Sequence, residues 1–100
     1  QYVFVHGWLP EQALTPEGRQ KADAKAWEEA RRDKWTKHYR GERPLADKIL
    51  VCGHMPTFYA NALDPEWEKE SADIFHGNGL IAIDAGTADS GQINVLVLEG

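Results

Sequence analysis

Two of the four histidines in this 100-residue chain stand where chemistry is easily done. His6 follows Tyr2-Val3-Phe4-Val5 and precedes Gly7, while His54 follows Ile49-Leu50-Val51-Cys52-Gly53 and precedes Met55-Pro56-Thr57. Each is an imidazole beside a glycine at the end of a short apolar run, and a neutral imidazole nitrogen is a good donor to divalent metals. Read from the residues alone, each is either a metal ligand or a strand-end histidine bonded only to backbone. His76, within His76-Gly77-Asn78-Gly79, either reaches the same cleft or faces solvent from a turn. His38 is placed to meet the negative end of a helix dipole. The lone Cys52 excludes an intramolecular disulfide; in its apolar run it reads as a packed hydrophobe in a reducing compartment, the cytoplasm, and not as a nucleophile.

The elements that must position these groups follow from pattern. Tyr2 to Val5 is aromatic and β-branched and too short for a helix, which predicts a strand; Lys48 to Cys52 predicts a second, buried on both faces and stopped by Gly53 and Pro56. Both histidines are thereby delivered to carboxyl ends of strands, where open α/β sheets collect ligands. Between them, Leu14-Thr15-Pro16-Glu17 carries a capping hydroxyl, a proline suited to the first helical position and an acid at the positive dipole end. Gly18 weakens that first turn, so one principal helix is expected over roughly Gln20 to Tyr39. It is rich in alanine, with Glu28 and Arg32, and Asp33 and Lys37, paired four apart at about 0.3 kcal/mol each. Trp27 and Trp35 lie on its other side as core cover. Arg40-Gly41 and Pro44 end it, and the strand–helix–strand unit should be parallel and right-handed.

The remainder is predicted as a loop from Phe58 to Phe75 with one helical turn after Pro65, then a turn at His76–Gly79. A C-terminal antiparallel hairpin follows, made by Leu80–Asp84 and Ile93–Leu98. Asp84 either orients the Gly-His loop from the neighbouring strand or caps the hairpin turn. The fold class is therefore α/β (α+β), with about four strands and one principal helix in a single domain, residues 1–100.

Composition narrows the partners. A net charge of −5 opposes binding to a nucleic-acid backbone, and no apolar run approaches the ~20 residues that would span a membrane. The chain opens on strand-like Gln1-Tyr2-Val3 without an initiating Met, which reads as a piece of something longer.

Three blocks in order, Tyr2-Val-Phe-Val-His6-Gly, Ile49-Leu-Val-Cys-Gly-His54-Met-Pro-Thr and Leu80-Ile-Ala-Ile-Asp84-Ala-Gly-Thr, followed by Ser90-Gly-Gln-Ile-Asn-Val-Leu-Val-Leu, resemble the C-terminal half of a calcineurin-like metallophosphoesterase. The chain is most similar to the bacterial and phage serine/threonine phosphatase and symmetrical diadenosine tetraphosphatase group. The resemblance implies a metallophosphoesterase-type β-sheet sandwich around two divalent metal ions, manganese, iron or zinc, bridged by a hydroxide that attacks phosphorus. It places His6 and His54 as ligands of the same metal. Trp27-Glu-Glu-Ala-Arg31 resembles a segment in which the arginine binds substrate phosphate through paired hydrogen bonds; the alternative is that Arg31 belongs to a charged helix surface.

The family's Asp-x-His, Gly-Asp-x-x-Asp-Arg and Gly-Asn-His-Glu motifs do not occur in these 100 residues. At most a partial metal site is expected here, with no catalytic residue of its own and little hydrolysis by the chain alone. Two functions from different classes follow. One is the C-terminal part of a phosphoesterase completed by an N-terminal half, or by self-association, and acting on a phosphoester. The other is a non-catalytic binding or assembly domain that retains the sheet.

Overall fold

A computed structural model of the chain describes residues 1–57, 59, 71–86 and 91–98. The helical turn expected after Pro65 and residues 87–90 of the Ala85–Gln92 connection lie outside these residues. The apolar run Ile49–Cys52 forms β2, one of two inner strands in a four-stranded sheet of order β1-β2-β4-β3, where β1 is Tyr2–Phe4, β3 Phe75–Gly77 and β4 Leu80–Ala82. β1 runs parallel to β2, with Tyr2 opposite Ile49, and β2 runs parallel to β4, with Leu50 opposite Leu80. The parallel pairing predicted between the two histidine-bearing strands is thus observed, and the described residues form a mixed α/β fold of four strands and several short helices.

Residues of one register rank share a face in a parallel sheet. Val3, Leu50 and Leu80 form such a rank, and Leu50 and Leu80 belong to the core, with Val3 packed against it. The next rank, Phe4, Val51 and Ile81, lies on the opposite face, where Val51 is buried but Phe4 on the edge strand is 63% exposed.

The predicted single helix is broken into three: α1 Pro16–Lys21, α2 Ala24–Ala30 and α3 Trp35–His38, preceded by a 3-10 turn at Glu11–Leu14. The start signal acts where it is written, since Gly18 N–H donates to Thr15 Oγ1 (3.1 Å) and Pro16 takes the first helical position. Asp23 then ends the continuity. Ala22 is extended, and the Asp23 carboxylate accepts the Ala26 N–H (2.8 Å), capping a new helix inside the alanine-rich run. A second break at 31–34 lets Trp35 and Tyr39 turn into the core. Length explains why packing outweighs propensity: a straight helix of twenty residues spans ~30 Å, whereas strands of three or four residues cover only ~10–13 Å.

Trp35 stacks on Phe75 at 5.4 Å, and Tyr39 Oη accepts the Asn78 N–H at 2.6 Å, so α3 is tied to the β3–β4 turn. That turn corrects the hairpin expectation. β4 does pair antiparallel, but with β3, which precedes it, through a tight Asn78-Gly79 turn in which Gly79 has φ +69°. His76 and Gly77 lie in the strand, not in the turn. Closing a two-residue turn is entropically easier than closing the longer connection to Ile93. Among the described residues, 91–98 make no strand ladder; Asn94 Nδ2 instead donates to the carbonyls of Ala72 (2.7 Å) and Ile83 (3.1 Å). No described helix is long and apolar enough to cross a membrane.

Candidate metal-binding site

The two parallel strands β1 and β2 end side by side, and their ladder continues past the last regular residues. Val5 N–H donates to Val51 O (2.9 Å), and Gly53 N–H donates to His6 O (2.8 Å). His6 and His54 therefore leave the sheet at adjacent points. Their rings lie 5.0 Å apart between centroids, tilted by 46°, and both residues are exposed. A metal–nitrogen bond of ~2.1 Å puts an imidazole centroid about 3.2 Å from the ion, so two histidines on one ion have centroids about 4.5–5.2 Å apart across the angles of octahedral and tetrahedral coordination. The observed spacing fits two imidazoles on a shared divalent metal.

The backbone under His54 is unusual. Its φ is +69°, the only positive value among the described non-glycine residues, and Met55 N–H donates to Gly53 O at 2.8 Å. A hydrogen bond from residue i+2 back to i around a positive central φ is a γ-turn of the strained type. Such a conformation costs of order 1–3 kcal/mol and persists only where its surroundings impose it. Here they do: Trp35 Nε1–H donates to Met55 O (2.9 Å), and Thr57 N–H donates to Asp84 O (2.9 Å). Thr57 itself is fully buried, and its hydroxyl has no hydrogen-bond partner among the described residues.

Asp84 makes two contacts through different atoms, neither of them in the hairpin expected with Ile93–Leu98. Its carboxylate Oδ1 accepts the Gly86 N–H (2.8 Å), serving the following turn, while its backbone carbonyl holds the Gly-His loop through Thr57. Arg31 is the residue just past α2. Its backbone carbonyl packs on Gly7, next to His6, and its guanidinium contacts Glu28 Oε1 (3.3 Å) on the exposed surface. The close approach is possible only because Gly7 lacks a Cβ, which would overlap the carbonyl oxygens of Arg31 and Asp33.

The other two histidines are not brought to the pair. His76 is exposed on β3, at the sheet edge opposite β1. His38 lies in the last turn of α3, where expected, while the carbonyls of Thr36 and Tyr39 accept Arg40 Nη1 (2.8 and 3.0 Å). Its ring stacks on Trp8 (5.2 Å, 13°), with Nε2 3.0 Å from Asp33 Oδ2. Trp8 and His38 line a cleft of about 770 Å³ together with Tyr39 and Arg43, and none of His6, His54 and His76 reaches it. Cys52 is buried, and desolvation pushes its thiol up to about 12, in keeping with a packed hydrophobe.

Sequence reasoning missed the part played by Trp35, whose only visible signal was an aromatic at a helical position. Among the described residues no group of three or more His, Cys, Asp or Glu side chains is arranged to hold a metal. No protein-family model, no curated protein and no solved structure matches the chain.

Proposed function

We propose that this chain supplies two histidine ligands, His6 and His54, to the metal site of a calcineurin-like metallophosphoesterase, as the C-terminal part of that sandwich fold. The observation that carries the reading is the 5.0 Å approach of two imidazoles at the ends of adjacent parallel strands. When bound, divalent metals supply Lewis acidity and stabilise charge on the phosphoryl oxygens. The chain's own contribution is local. His6 and His54 present ring nitrogens, Asp84 holds the His54 loop by its carbonyl, and Arg31, if released from Glu28, offers a planar pair of donors to a phosphate oxygen.

The test is titration of the chain with cobalt(II), followed by its visible absorption. Saturable binding that is lost in both His6→Ala and His54→Ala is the expected result. Absence of binding in the parent chain, or equal binding by the parent and His54→Ala, overturns the proposal.

A further inference from the structure

Among the described residues, the one side-chain hydrogen bond to the Gly53–Thr57 loop comes from Trp35. Trp35 is fully buried, and its ring is fixed by stacking on Phe75 at 5.4 Å with an interplanar angle of 26°. A buried indole N–H needs an acceptor, and this one finds the Met55 carbonyl at 2.9 Å. Met55 is also the residue whose N–H closes the γ-turn onto Gly53 O (2.8 Å), so its N–H and its carbonyl are both held. The turn is strained at His54, so it opens unless both arms are held.

We infer that Trp35 is a positioning residue for His54: its indole N–H clamps the Met55 carbonyl, keeps the γ-turn closed and so holds the His54 imidazole beside His6. The break between α2 and α3 acquires a purpose in this arrangement, because it frees the chain at 31–34 to direct Trp35 inward against the loop. The inference rests on the proposed metal site for one of its two readouts only.

The cleanest perturbation is Trp35→benzothienylalanine, introduced by semisynthesis, which keeps the bicyclic bulk and replaces N–H by sulfur. Phe75→Leu is the companion variant; it loosens the same stack but leaves the hydrogen bond intact. Two quantities are read in each protein: cobalt(II) affinity, and, without metal, the cross-relaxation between the ring protons of His6 and His54. The benzothienyl variant should lose cobalt(II) affinity about 10- to 100-fold, the usual effect of removing a group that orients a ligand, and should lose the ring-to-ring signal while still melting cooperatively. Phe75→Leu should melt lower yet retain both.

Retention of affinity and ring contact in the benzothienyl variant overturns the inference, as does equal loss in Phe75→Leu, which would mean general destabilisation. If the parent chain binds no cobalt(II), the metal reading fails, and the metal-free ring contact still decides the role of Trp35.

Discussion

Gly7→Ala probes how the histidine strand and the helical layer are joined. A methyl group at position 7 would overlap the carbonyl oxygens of Asp33 and Arg31, which are backbone atoms unable to swing aside. The turn between α2 and α3 must retreat, straining the Trp8 N–H bond to Ala30 O, already 3.2 Å long. Overpacking of this kind costs ~1–3 kcal/mol, and loss of one such hydrogen bond adds ~1 kcal/mol. The sum, about 2–4 kcal/mol, is a large share of the ~5–15 kcal/mol that holds a domain together. At this chain length each kilocalorie moves the melting temperature by ~5 °C, so Tm should fall by about 10–20 °C. Thermal melts followed by far-UV circular dichroism, with protein concentration held fixed, read the shift directly. A Tm within ~2 °C of the parent's would show that this junction is not close-packed and that the docking of α2 beside His6 is wrong.

Two further outcomes bear on separate links. Asp23→Ala removes the acceptor for the Ala26 N–H and should lower stability by about 1 kcal/mol, seen as a lower urea midpoint at unchanged slope; an unmoved midpoint would mean that something else breaks the helix at Ala22. Cys52, whose thiol is raised from 9.0 to about 12 by burial, binds its proton more tightly folded than unfolded. Its contribution is therefore intact below about pH 9 and erodes by ~1.4 kcal/mol per pH unit as pH rises toward the folded value. Urea titrations across that alkaline range should show this slope and Cys52→Ala should flatten it; identical slopes would refute the burial of the thiol.

What could be read from the residues was the part governed by short-range pattern. Ile49–Cys52 has no polar residue to face solvent, so an inner strand was its natural fate, and glycine and proline on its far side fixed where His54 would emerge. The capping triplet Thr15-Pro16-Glu17 was equally direct. Asp23 was not, because a carboxylate within an alanine-rich run reads as helix surface until tertiary packing needs a bend there. Phe75-His76-Gly77 was hidden for a related reason: a three-residue strand ending in glycine looks like the approach to a turn, and only its pairing with β4 makes it a strand. The meeting of His6 and His54 was suggested by resemblance, yet the positive φ that aims His54 and the indole that holds its loop depend on contacts between distant residues, which no local pattern records.

The register of the sheet also sets the order in which the molecule can become itself. Phe75 and Ala82 are near neighbours in sequence, whereas Tyr2 faces Ile49 across 47 positions. Closing that span carries an entropic charge of about 3 kcal/mol in its length-dependent part alone, far above that of the tight hairpin, and parallel pairing returns it only once several rungs have formed. The two imidazoles become neighbours on the closure of this span, among the slowest contacts to form. A chain arrested with its hairpin formed and its first strand loose has all its histidines and no site.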